Sequence, residues 1–95
     1  MRVELLHHEG CSAADATEHL ARACLAESGL TVELERRVGP YPSPTVLVDG
    51  IDVMGRLEPR AQSEVVCRLD IPTRDRLLIA LAAAVDRHAP AHRRP

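Results

Sequence analysis

No stretch of this chain limits its fold more than Gly39-Pro40-Tyr41-Pro42-Ser43-Pro44. Prolines at three alternate positions lock φ and remove backbone donors, so neither a helix nor a regular ladder can run through the segment. Directly after it comes Thr45-Val46-Leu47-Val48, a short apolar β-run, then Asp49-Gly50, then Ile51 to Met54. Asp-Gly between two such runs is the best short signal for a two-residue hairpin. The chain therefore divides into a part before the prolines and a part that begins with a hairpin.

The first part reads as strand, helix, strand. Arg2 to His7, with Val3, Leu5 and Leu6 apolar, predicts a buried strand, and Glu9-Gly10-Cys11 a turn. Ser12-Ala13-Ala14-Asp15 has the form of a capping box, in which hydroxyl and carboxylate satisfy orphan N–H groups at a helix start. The helix is expected to run to about Ser28, with Ala13, Ala16, Thr17, Leu20, Ala21, Cys24 and Leu25 on one stripe and Gly29 ending it. Thr31 to Arg37 alternates, Val32 and Leu34 against Glu33 and Glu35, the period of a half-exposed strand. Strand, helix and strand in this length make a right-handed βαβ unit with parallel strands.

After the hairpin, Gly55 to Ile71 predicts an extended loop with a short ordered piece around Val65-Val66-Cys67. Thr73 is placed to cap a last helix from Arg74 to about His88, with Leu77, Leu78, Leu81 and Val85 on its apolar face. Ala89 to Pro95 is expected to be a disordered tail, leaving residues 1–88 as one domain. The order is βαβ then ββα, an α/β fold with a four-stranded mixed sheet and helices packed on it.

Composition narrows the function classes. The chain has 95 residues, 45 % of them apolar and 27 % charged, and Tyr41 is its single aromatic. The core must come from Leu, Val, Ile and Ala, and no aromatic platform exists for stacking bases. A formal charge of −2 argues against a phosphate-dominated nucleic-acid binder. The longest apolar run, Leu77 to Val85, is about half a membrane span, and Met1 to Leu6 reads as strand rather than signal sequence. The expectation is a cytoplasmic protein with no nucleic-acid or membrane partner, its three cysteines reduced by default. No P-loop, dinucleotide motif or Ser-His-Asp arrangement is visible, so no cofactor is expected.

The cysteines carry the chemistry. Cys11 sits at a helix N-terminus, where the partial positive charge favours the thiolate, the form that attacks and binds metal. It is either a reactive thiol or an inert small residue at a strand-helix junction. Cys24 falls on the apolar stripe and reads as core. Cys67 is either a second thiol of the Cys11 site or part of an inward-packed Val65-Val66-Cys67 patch. His7 and His8 are adjacent on a strand and point to opposite faces, so at most one meets Cys11, and a structural zinc site lacks its four ligands. Arg56, Arg60 and Arg68 flank Cys67, either to hold an anion or as a solvated loop.

Val3-Glu4-Leu5-Leu6 leading to Gly10-Cys11, then Ser43-Pro44-Thr45-Val46-Leu47-Val48-Asp49-Gly50, Cys67-Arg68-Leu69 and Pro72-Thr73 together resemble a family of short bacterial thioredoxin-like proteins. Many come from GC-rich actinobacteria and carry the label alkylmercury lyase or thioredoxin family protein. The resemblance implies a minimal thioredoxin-like fold with Cys11 and Cys67 at the recurrent cysteine positions. It also implies a cis Ser43–Pro44 bond, with Pro44 lying against Cys11. In that fold the hairpin returns the chain to the sheet edge carrying Cys11 and Pro44, so Cys67 can lie over the site. The CxxC pair is absent, Ala14 standing where a second cysteine would be.

The leading expectation is a thiol protein acting through Cys11, Cys67 and Pro44 in thiol–disulfide exchange, or through Cys11 and Cys67 as ligands of a soft metal such as mercuric ion. Its partners would be a protein or small-molecule thiol. The rival is a redox-inactive thioredoxin-like binding module, a homodimer through its exposed edge strand.

Overall fold

The computed structural model describes residues 1–54, 66–67 and 71–88. Its elements, in chain order, are β1 (Val3–His7), α1 (Ala14–Glu27), β2 (Leu34–Val38), β3 (Pro42–Ser43), β4 (Thr45–Val48), β5 (Ile51–Asp52), β6 (Val66–Cys67) and α2 (Arg74–Arg87). β1 is buried along its whole length because it is central. β2 pairs with it in parallel, Val3 opposite Leu34 and His7 opposite Val38. β4 pairs with its other side in antiparallel fashion, Val3 opposite Val48 and Leu6 opposite Thr45. With β5 antiparallel to β4, the order is β2-β1-β4-β5, the four-stranded mixed sheet and βαβ–ββα order expected.

Both helices pack on one face of this sheet and against each other. The period of two sends Val3, Leu5, Val46 and Val48 to that face, where they meet Ala21, Cys24 and Leu25 of α1 and Leu77, Leu81 and Ala84 of α2. Each fully buried Leu or Val there contributes roughly 1.5–3 kcal/mol. Glu4, Leu6, Thr45, Leu47 and Asp52, of opposite parity, are buried as well. Glu4 accepts from Arg37 at 3.0 Å, which compensates its desolvation.

α1 departs from expectation at its start. The capping box does not form: Ala13 is the N-cap, in a helical conformation with no side-chain cap, and the helix begins at Ala14. Asp15 instead accepts from Arg36 of β2 at 3.0 Å. The buried stripe is Ala14, Thr17, Ala21, Cys24 and Leu25, while Ala16 is exposed and Ala13 only half-buried. The other end matches. Gly29, at φ 71°, donates to Ala26 O, and Leu30 N–H reaches Leu25 O at 2.9 Å, the paired bonds of a Schellman motif.

β2 begins at Leu34 rather than Thr31, and only Leu34 is buried. β5 stops at Asp52 because the Asp52 carboxylate accepts Met54 N–H at 2.9 Å and turns the chain. The turn before it has Asp49 at φ 53° and Gly50 at φ 81°, the left-handed pair of a type I′ hairpin. In α2, Val85 is exposed and Ala84 takes the buried place expected of it, since a small side chain lets the helix approach the sheet closely. Thr73 Oγ1 accepts Arg76 N–H at 3.3 Å, as expected. Thr73→Ala should cost about 1 kcal/mol in a thermal melt, and Thr73→Ser almost nothing.

The ordered piece expected near Val65-Val66-Cys67 is β6, which pairs with β3 in a separate two-stranded parallel sheet. Most of the Gly55–Ile71 loop and the Ala89–Pro95 tail lie outside the described residues. Among the described residues no helix is long and apolar enough to cross a membrane.

Candidate functional site

The site expected at the end of β1 is built from three backbone facts. The Ser43–Pro44 peptide is cis. The β1–β4 register ends at Leu6 opposite Thr45, so Ser43 and Pro44 continue beside the segment that follows Leu6, and β3 packs against β1. In that segment the Cys11 N–H donates to His8 O and the Cys11 carbonyl accepts from Ala14, both at 3.3 Å, which closes the turn into α1. Cys11 is half-buried and free.

Cys67 enters from the other side. β6 runs parallel to β3 with Val66 opposite Pro42 and Cys67 opposite Ser43. Its backbone therefore adjoins the residue that precedes the cis bond. The position of its side chain, like Arg56, Arg60 and Arg68, lies outside the described residues. The Ser43 hydroxyl is fully buried, with no hydrogen-bond partner among the described residues.

Cys24 is core, as its place on the apolar stripe predicts. It is 1 % exposed, and burial pushes its thiol above the ordinary range, opposed by the charge of Arg74 and reinforced by that of Glu27. A thiol so placed is a poor nucleophile.

The histidines are committed elsewhere. His7 Nδ1 lies 2.9 Å from His8 O, and its Nε2 lies 3.2 Å from Arg36 Nε and 3.0 Å from Arg36 Nη2. A guanidinium only donates, so Nε2 is the acceptor and Nδ1 carries the hydrogen. His8 Nδ1 lies 3.0 Å from Glu9 O. Both ring nitrogens of His7 are thus taken, so His7 does not complete a site around Cys11. Among the described residues no group of three or more His, Cys, Asp and Glu could hold a metal ion.

Arg36 is the residue that sequence reasoning missed. Besides His7 it donates to Asp15 at 3.0 Å and Glu18 at 2.7 Å, and Arg22 also binds Glu18 at 2.8 Å. The bond from Arg22, with Arg36 adding to it against desolvation, holds the Glu18 carboxyl below its usual range. The bond to Asp15, with Glu18 adding to it, raises Arg36 above its own. The carboxylates nearest in sequence to Cys11 on α1 are thus paired with cations. The only sequence signal was a cation alternating on an edge strand.

Compared with known proteins, the chain matches no family model, no curated protein and no solved structure.

Proposed function

We propose that this chain is a thiol protein that works through Cys11, with Cys67 as its second thiol, in thiol–disulfide exchange or in capture of a soft metal such as mercuric ion. The observation that supports this most is the Ser43–Cys67 register, at the end of the sheet where β1 delivers Cys11. The resemblance to short thioredoxin-like proteins labelled alkylmercury lyase points the same way.

The exchange balances as follows. The Cys11 thiolate attacks one sulfur of a client disulfide, forms a mixed disulfide and releases the other sulfur as a thiolate, which takes up a proton. The Cys67 thiolate then attacks Cys11 Sγ and frees the second client thiol. The client is reduced by two electrons, the Cys11–Cys67 pair is oxidised, and two external thiols, themselves oxidised to a disulfide, restore it. For a mercuric ion, two thiolates displace two weaker ligands and need no redox partner.

The test is mapped modification of the folded protein. Cys11 should alkylate at least tenfold faster than Cys24, and glutathione disulfide should oxidise the wild type to the Cys11–Cys67 disulfide but leave a mixed disulfide in Cys67→Ser that the double variant Cys11→Ser/Cys67→Ser lacks. Faster modification of Cys24, or equal mixed-disulfide yield in Cys67→Ser and the double variant, overturns the reading in favour of a redox-inactive binding module.

A further inference from the structure

β2 is an edge strand whose outer side no described strand pairs with, and Glu35 to Val38 are all exposed. Gly39 N–H donates to His7 O, which sets the phase of the strand. Odd-numbered residues aim their peptide groups at β1, so Leu34, Arg36 and Val38 aim theirs outward. Three consecutive outward-facing pairs of N–H and C=O are a template for another strand.

The side chains specify which strand. Read along β2 they run Leu34-Glu35-Arg36-Arg37-Val38. We propose that the partner is a second copy of this chain, with β2 pairing antiparallel to itself about a two-fold axis at Arg36. Leu34, Arg36 and Val38 then lie opposite Val38, Arg36 and Leu34 of the copy as hydrogen-bonded pairs, which satisfies every outward peptide group. Glu35 falls opposite Arg37 of the copy, and Arg37 opposite its Glu35, in the non-hydrogen-bonded pairs where side chains approach most closely.

Charge selects this register. A two-fold axis at Glu35 sets Glu35 against itself, and one at Arg37 sets Arg37 against itself. An axis at Leu34 sets Glu35 against Glu33, and one at Val38 brings Pro40 into the ladder. At Arg36 the two guanidinium groups face each other, but each already lies between Asp15 and Glu18 of its own chain. Val38, 61 % exposed, gains Leu34 of the copy as an apolar neighbour. The product is one continuous eight-stranded sheet with β2 at its centre. Glu35, 59 % exposed and 3.8 Å from Arg2, is available for the new pair. Arg37 would bridge Glu4 of its own chain and Glu35 of the copy.

Sedimentation equilibrium over a concentration series, with hydrogen exchange at low and high concentration, tests the proposal. The wild type should dimerise reversibly, and the Arg36 and Val38 amides should exchange more slowly at high concentration. Glu35→Lys, which opposes two cations at both ends of the ladder, should raise the dissociation constant at least tenfold. Val38→Pro removes only an outward donor and should do the same without disturbing the β1–β2 pairing. Glu35→Lys mixed with Arg37→Glu should form a heterodimer that neither variant forms with itself, and a far-ultraviolet melt of each checks that it folds. A wild type monomeric at millimolar concentration overturns the proposal. So does a dimer indifferent to both Glu35→Lys and Val38→Pro.

Discussion

Mild oxidation of the native protein should raise its melting temperature by joining Cys11 to Cys67. The bridge would close a loop of about 57 residues, worth about 4 kcal/mol if it acts by restricting the unfolded chain. In a domain of this size that corresponds to a rise on the order of 15 °C or more. The expectation rests on the proposed thiol pair and on the backbone that supports it: Cys67 in register with Ser43, and Cys11 in the turn after β1. A disulfide needs Cα atoms about 4.4–6.8 Å apart. Cys11→Ser and Cys67→Ser should each abolish the gain, and Cys24→Ser should leave it, because Cys24 lies in the core between helix and sheet. One equivalent of mercuric ion should give a comparable rise with the same dependence on variants. Oxidation that yields only intermolecular products, with no rise in the wild type, would reduce the site to a single thiol at Cys11.

What could be read from the sequence divides by the range of the forces involved. The Asp49-Gly50 turn was legible because two residues with positive φ between apolar runs leave few alternatives. The burial of Cys24 was legible because the stripe from Thr17 to Leu25 repeats at the helical period. The start of α1 was not. A capping box is a local bargain, and Asp15 found a better partner in Arg36, twenty-one residues away. The buried face stayed at Thr17, Ala21, Cys24 and Leu25, and Ala14, three residues before Thr17 and seven before Ala21, lies on it in place of Ala13 and Ala16. β6 was visible only as a short apolar cluster. Two residues carry no period, so its register with β3, the fact most relevant to the site, could not be read before the fold was known. Arg36 was invisible for a related reason: its partners come from β1 and from two turns of α1 that meet only once the parallel pairing exists.

Asp49 joins the most distant parts of the chain, and its loss should be the most damaging single change to a polar side chain. Its backbone N–H donates to Arg2 O at 2.7 Å, and its Oδ1 accepts Arg2 N–H at 2.9 Å, which ties the start of the chain to the hairpin. Its Oδ2 lies 3.2 Å from Arg87 Nη2 and 2.9 Å from His88 Nε2, which ties the hairpin to the end of α2. Desolvation alone would raise the carboxyl, but the Arg2 N–H, His88 and Arg87 together outweigh it and hold it down to about 2, against an ordinary value of 3.8. A carboxyl depressed in the folded state stabilises above its unfolded value and loses that contribution as pH falls toward the folded one. Its charge should therefore add about 2 kcal/mol above pH 4, fading between roughly pH 4 and pH 2. Asp49→Asn keeps an acceptor and tolerates the left-handed turn, so it should lose mainly this amount, and its deficit against the wild type should shrink as the pH is lowered toward 2. Asp49→Gly keeps the turn and loses every side-chain bond. Asp49→Ala loses the bonds and also the short polar side chain that eases the left-handed conformation, roughly 1 kcal/mol more, giving a total of about 3 kcal/mol. Denaturant melts at pH 7 and pH 3 read the series directly. An Asn variant equal to the wild type at pH 7, or a deficit that stays constant down to pH 2, would show that the carboxylate charge does not hold these three segments together.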